Sequence, residues 1–136
     1  MKTNFKNYLK RKKAQEVIDK LAEQYKVKKV GLYGIDLFTG DLFRNYDLSK
    51  LGVQGIADRS FHNESSDDYY GYKKLNHDEL TNTDFDVLLI TTYDDTETKS
   101  YLKKDLFKNK KNDIQIKTLI KMNLFEYIKG LMNGDI

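Results

Sequence analysis

The chain has 136 residues, of which 39% are hydrophobic and 33% charged, and its net charge is +3. This length predicts one domain with a single core, and the charge is too balanced for a nucleic-acid-binding surface. The absence of cysteine excludes disulfides, thiolate metal sites and a cysteine nucleophile. No apolar run approaches the roughly 20 residues that span a bilayer, and no signal-peptide core follows the basic N-terminus, so we expect a cytoplasmic protein that binds neither membrane nor nucleic acid.

Residues 1–26 predict an N-terminal helix that precedes the rest of the domain. Apolar side chains recur at three- and four-residue intervals over residues 14–25, with charged residues between them, which is the spacing of an amphipathic helix. The apolar stripe is wide enough to pack on another subunit. It is therefore the predicted interface of a homo-oligomer or of a larger enzyme complex.

Residues 27–120 predict an α/β core in which strands and helices alternate, the pattern of a three-layer parallel sheet. The predicted strands, in chain order, span residues 27–33, 53–58, 72–75, 85–92 and 114–120. Predicted helices follow the first, third and fourth strands, over residues 37–46, 76–80 and 94–109. A further predicted helix, over residues 121–136, follows the fifth strand. The fourth strand is the most hydrophobic run of the sequence, which favours a central strand buried on both faces.

The turn after the first strand contains part of a dinucleotide-binding fingerprint. Gly34 stands at the position of the first glycine, which permits a tight turn from the strand into a helix N-terminus. The second position, where the backbone approaches a pyrophosphate, holds Asp36, and the third holds Thr39. A carboxylate at Asp36 is expected either to cap the helix and repel an anion, or to select a different ligand by accepting hydrogen bonds from ribose hydroxyls or an amine.

Three segments together resemble one family of small Rossmann-like domains: Val30–Phe38, with the sequence VGLYGIDLF; Gly52–Asp58, with GVQGIAD; and Asp86–Thr92, with DVLLITT. Such domains occur in surface-polysaccharide and nucleotide-sugar enzymes, at the N-terminus of some sugar acyltransferases and dehydratases and at the C-terminus of some sugar C-methyltransferases. The resemblance extends over residues 27–120. It implies about five parallel strands in the order 3-2-1-4-5, with a nucleotide or dinucleotide at the ends of strands one, two and four.

The predicted ligand site lies at the ends of these three strands. Asp58 ends the second strand 24 residues after Gly34, near the place, roughly 20 residues on, where a ribose-binding acid belongs. The neighbouring Arg59 is expected to pair with it or to meet a 2′-phosphate. Thr91 and Thr92 end the central strand, which a ligand at the switch point would cross. The predicted ligand-contacting residues are Gly34, Ile35, Asp36, Asp58, Arg59, Thr91 and Thr92.

The sequence leaves the ligand and the catalytic status open. No P-loop, nucleophile-elbow motif or paired carboxylates are present, and His62 and His77 have no second histidine at metal-ligand spacing, so no metal site is predicted. NAD(P) and other nucleotides stay open as cofactors, although Asp36 and Thr39 weigh against NAD(P). The favoured function is a nucleotide- or nucleotide-sugar-binding module of surface-polysaccharide metabolism; the alternatives are a non-catalytic association domain without dinucleotide and, with least support, a small dehydrogenase or transferase.

Overall fold

The computed structural model describes residues 5–61, 68–93, 96–108, 114–121 and 124–133. Within these residues the protein has an α/β fold. The strands are β1 (Val30–Tyr33), β2 (Val53–Ala57), β3 (Asp68–Tyr69), β4 (Tyr72–Leu75), β5 (Val87–Ile90) and β6 (Gln115–Thr118). The helices are α1 (Lys6–Arg11), α2 (Ala14–Gln24), α3 (Leu37–Asn45), α4 (His77–Asn82), α5 (Thr96–Tyr101) and α6 (Leu124–Met132), with a 3₁₀ turn at Ser49–Leu51 and a π-helical segment, Leu102–Leu106, that continues α5.

The described strands form one mostly parallel sheet in the order β3-β4-β2-β1-β5-β6. Counted without β3, the five parallel strands lie in the order 3-2-1-4-5 that the resemblance implied. The purely parallel sheet is a correction, because β3 pairs antiparallel with β4. Tyr70 and Gly71 join the two strands and both have positive φ, 50° and 84°, the conformation that suits a two-residue hairpin turn.

Alternating side chains of the central strands divide the core between the two faces of the sheet. Val30 and Leu89 pack with residues of α1, α2 and α3 on one face. Tyr33 and Leu88 pack on the other face with residues of α4 and the π-helical segment. All four residues of β5 are buried, as its uninterrupted apolar sequence predicted.

Two short helices stand where one N-terminal helix was predicted. The chain turns between α1 and α2 at Lys13, whose φ of 54° lies in the left-handed region. The turn lets both helices direct their apolar sides into the core, and the buried residues are Phe5, Tyr8, Leu9, Ala14, Ile18, Leu21, Ala22 and Tyr25. The apolar stripe that was predicted to bind another subunit is thus covered by the protein itself, and association stays a prediction.

The remaining predicted elements appear in the predicted sequence order; β4 has its predicted bounds, and the other predicted strands are shorter than predicted. Asn76 caps α4 through a reciprocal pair of hydrogen bonds with Glu79, at 2.8 and 3.1 Å, as the spacing of the two residues indicates. The helix predicted at 94–109 is divided into α5 and the π-helical segment. In the described part of the chain, no helix has the length and apolar character needed to cross a membrane.

Candidate functional site

Polar residues from three neighbouring strands meet at the carboxyl edge of the parallel sheet. Gly34 follows β1, Asp58 and Arg59 follow β2, and Thr92 follows β5, and these strands lie side by side. An open cleft of about 290 Å³, here called the Gly34 cleft, is lined by Tyr33, Gly34, Asp58, Arg59, Thr92, Glu97 and Thr98. Four of the seven predicted site residues therefore share one cleft, and the other three, Ile35, Asp36 and Thr91, lie outside its lining.

The N-terminus of α3 is capped by its own residues. Oδ1 of Asp36 accepts a hydrogen bond from the backbone N–H of Thr39 at 3.0 Å, and the Thr39 hydroxyl accepts one from the N–H of Asp36 at 3.1 Å. Oδ2 of Asp36 accepts a further bond from the N–H of Tyr93 at 3.3 Å. The predicted N-cap is confirmed, and a carboxylate occupies the helix end where a dinucleotide fold usually places a pyrophosphate.

Burial sets the electrostatics of this helix end. Burial raises the pKa of Asp36 above its ordinary value, because the carboxylate loses hydration, while the hydrogen bonds from Thr39 and Tyr93 act in the opposite direction. Thr39 is fully buried, and its hydroxyl donates to the carbonyl oxygen of Thr91 at 2.7 Å. The cap therefore also ties α3 to the end of β5.

Gly34 permits a close approach of backbone and side chains at the base of the cleft. Its φ is 102°, and a Cβ atom there would lie 2.6 Å from Cγ2 of Thr92. Its N–H donates to the carbonyl oxygen of Ala57 at 2.8 Å, and its carbonyl oxygen accepts from the Thr91 hydroxyl at 2.6 Å. A residue with a side chain cannot make this turn without strain and displacement of Thr92.

Asp58 and Arg59 act separately rather than as the predicted pair. Oδ1 of Asp58 accepts from the N–H of Ile35 at 2.8 Å, and Oδ2 accepts from the N–H and hydroxyl of Ser60 at 3.0 and 2.7 Å. The guanidinium of Arg59 instead lies over the ring of Tyr101, 3.9 Å from its centroid. Because a carboxylate has about four acceptor sites, Asp58 can hold the turn and still accept a hydrogen bond from a ligand hydroxyl.

A chain of two tyrosines and a histidine borders the cleft and was not predicted from the sequence. The Tyr33 hydroxyl lies 3.0 Å from Nε2 of His77, and the Tyr101 hydroxyl lies 3.3 Å from Nδ1 of the same ring. Burial raises the pKa of Tyr33, with the nearby Tyr101 and Asp58 adding to the effect. A neutral imidazole donates from one nitrogen and accepts at the other, so His77 links the two hydroxyls.

The only sequence signal for the contacts among Tyr33, His77 and Tyr101 is the position of His77. It begins α4 directly after β4, and this places it at the same sheet edge as the ends of β1 and β2. Its role as a bridge between tyrosines depends on tertiary packing. No group of three or more potential metal-ligating side chains occurs among the described residues, and the other histidine, His62, lies outside them.

Comparison of the chain with protein families, curated proteins and solved structures finds no match. The fold is therefore stated as an α/β fold with a mostly parallel six-stranded sheet.

Proposed function

We propose that the protein binds a nucleotide or a nucleotide-sugar in the Gly34 cleft, as a binding module of surface-polysaccharide metabolism. The main support is that one open cleft is lined by residues that follow three different strands: Gly34, Asp58, Arg59 and Thr92. In open parallel sheets, ligands bind outside the carboxyl ends of strands where the strand order reverses, here between β1 and β5. The metabolic setting follows from the resemblance of the three sequence segments to nucleotide-sugar enzymes.

The side chains of the cleft suit a hydroxylated ligand. Asp58 and Glu97 supply carboxylate oxygens, and Thr98 supplies a hydroxyl, and these groups hydrogen-bond the hydroxyls of ribose or of a hexose. Arg59 adds a cation with several N–H donors. Asp36 occupies the N-terminus of α3, so the ligand is not a dinucleotide whose pyrophosphate lies on that helix.

Thermal unfolding with a panel of ligands tests the proposal. The panel contains UDP-glucose, GDP-mannose, UDP, NAD, NADP, S-adenosylmethionine and coenzyme A. A ligand present at 100 times its Kd adds about 2.7 kcal/mol to the free energy of unfolding, and we expect this from a nucleotide or nucleotide-sugar and not from NAD or NADP. If no nucleotide raises the midpoint, the proposal is wrong.

A matched pair of variants locates the binding. Glu97→Gln removes one carboxylate of the cleft lining, and we expect it to weaken nucleotide-sugar binding about tenfold, since a hydrogen bond to a charged group contributes about 1.5–3 kcal/mol. Glu16→Gln makes the same change at an exposed position on α2 and should leave the affinity unchanged. Equal affinities of the two variants would place the ligand elsewhere.

Subunit association is a second candidate function, and α6 is the observation that favours it. The side chains of Phe125, Ile128 and Met132 are 73%, 46% and 82% exposed, and their spacing puts them on one side of the helix. Exposed apolar patches often mark interaction surfaces. Sedimentation of wild type and of Phe125→Glu/Ile128→Glu tests this: association requires a wild-type oligomer that the double variant dissociates.

A further inference from the structure

One face of α5 and its π-helical continuation carries positive charge. Residues at the helical spacing i, i+3, i+4, i+7 and i+8 are all cationic or hydroxylated. Together with Lys121, which follows β6, they line a hollow of about 380 Å³, here called the lysine hollow; its lining is Thr96, Lys99, Ser100, Lys103, Lys104 and Lys121. Four lysines therefore line one open space, and no acidic residue is among its described lining residues.

The positive charge of the lysine hollow is not neutralised within the described part of the chain. Ion pairs there join other residues, for example Lys12 with Glu126 and Arg44 with Asp41. The acidic side chains of this helical stretch, Glu97 and Asp105, line a different hollow. Crowded like charges repel one another, and an anion in the lysine hollow would relieve that repulsion.

The lysine hollow is continuous with the proposed ligand site. The hollow that Glu97 and Asp105 line shares Thr96 and Ser100 with the lysine hollow, and it shares Arg59 and Glu97 with the Gly34 cleft. From Glu97 to Lys103 the helical rise amounts to about 9 Å. A polar path therefore runs along the helix from the cleft to the lysines.

We infer that the lysine hollow binds the diphosphate of the ligand, so that a nucleoside diphosphate or nucleotide-sugar lies along α5 and not on α3. The inference rests on the proposed function, because the Gly34 cleft would hold the hydroxylated part of the same molecule. The α3 terminus carries the carboxylate of Asp36, whereas lysine ammonium groups bind phosphate oxygens as point charges. Lys103 and Lys104 lie on the π-helical segment, a conformation frequent at functional sites.

Calorimetric titration with inorganic pyrophosphate, UDP and UDP-glucose tests the inference. We expect all three probes to bind the wild-type chain, with affinities that fall as salt is added. Lys99→Gln/Lys103→Gln should weaken each by at least tenfold. The control, Lys20→Gln/Lys50→Gln, removes the same charge at exposed positions on α2 and the 3₁₀ turn and should change each affinity by less than twofold.

The outcomes separate this inference from the proposed function. If UDP-glucose binds wild type and Lys99→Gln/Lys103→Gln equally well, the lysine hollow is not the diphosphate site, although the cleft proposal stands. If pyrophosphate binds through the lysines but UDP and UDP-glucose bind no more tightly than pyrophosphate, the cleft proposal is wrong and the hollow is a site for free diphosphate. Absence of pyrophosphate binding to wild type overturns the inference.

Discussion

The helices α3 and α5 border the same edge of the sheet, yet they carry opposite charges there: a carboxylate at α3, and lysines along α5 and its π-helical continuation. At α3 the carboxylate of Asp36 accepts hydrogen bonds from Thr39 and Tyr93, and the cap is packed against buried backbone. On the π-helical continuation of α5, Lys103 and Lys104 are exposed around an open hollow. At α3 the acceptor groups of Asp36 already occupy the helix N-terminus, whereas the positive charge beside α5 comes from lysine side chains along the helix and not from its N-terminus.

The comparison separates two kinds of mutational effect. Residues around α3 hold the backbone of β1, β5 and the turn between β1 and α3, so their substitution should lower the free energy of unfolding. Lys99 of α5 and Lys103 and Lys104 of its π-helical continuation form no ion pair with a described residue, so their substitution should act through charge and depend on salt.

Gly34→Ala tests whether the turn before α3 is closed to side chains. A Cβ atom would lie 2.6 Å from Cγ2 of Thr92 at a φ of 102°, and we expect a loss of about 3 kcal/mol in the free energy of unfolding from urea denaturation. Gly52→Ala is the control, because φ there is 63° with no heavy atom within 4 Å, and its expected loss is about 1 kcal/mol. Equal losses would mean that contact with Thr92 is unimportant.

Thr39→Val tests the hydrogen bonds beneath the cap. The variant keeps the shape of the side chain but removes the hydroxyl that donates to the buried carbonyl oxygen of Thr91. We expect a loss of about 1–3 kcal/mol in urea denaturation. Thr39→Ser keeps the hydroxyl and removes only a methyl group, which costs about 0.8 kcal/mol. A serine variant less stable than the valine variant would contradict this account.

Asp36→Asn tests the charge of the cap, since asparagine caps a helix as well as aspartate does. Burial raises the pKa of Asp36 above 3.8, so ionisation is less favourable in the folded protein than in the unfolded chain. The stability that this carboxyl contributes is fully present below its unfolded pKa and is lost as pH rises through the folded pKa. We therefore expect Asp36→Asn to be more stable relative to wild type at pH 7 than at pH 3.5.

Urea denaturation at the two pH values measures this difference. Asn76→Asp serves as a control at the other described capping box, because it introduces a cap carboxylate instead of removing one. A stability difference between Asp36→Asn and wild type that is the same at both pH values would show that the Asp36 charge costs nothing, and the electrostatic exclusion of anions at α3 would then need another cause.

The parallel part of the fold was accessible from the sequence because it depends on local patterns. The uninterrupted apolar run of β5 indicates burial on both faces, and the order of the five parallel strands followed from the resemblance. β3 was missed because its two residues are too few to show a period. The turn at Lys13 was missed because apolar residues stand on both sides of it, within residues 5–9 and 14–25, and only packing on the sheet requires the left-handed residue.

The candidate site divides in the same way. The cap of Asp36 on Thr39 is a contact between residues three positions apart, which a sequence pattern can show. The contacts of His77 with Tyr33 and Tyr101 join residues 44 and 24 positions apart, on separate elements whose meeting depends on the whole sheet. Lys99 and Lys103 stand at helical spacing in the sequence. That Lys121 lines the same hollow depends on the pairing of β6 with β5, which no local pattern shows.

Lys103→Gln has the smallest expected effect, and its sign is opposite to that of Gly34→Ala and Thr39→Val. Lys99 lies four residues before Lys103, and like charges at this spacing destabilise a helix by about 0.2–0.5 kcal/mol. We expect Lys103→Gln to raise the free energy of unfolding by about 0.3 kcal/mol at low salt. At 1 M NaCl we expect no change, because the Debye length is about 3 Å and the repulsion between the two lysines is screened. Lys50→Gln is the control, because Lys50 lies near an acidic side chain and not among lysines. Hydrogen bonds from Ser49 lower the pKa of Asp47, and the positive charge of Lys50 adds to that effect. An equal gain there would make the net charge, and not the crowding on α5, the cause.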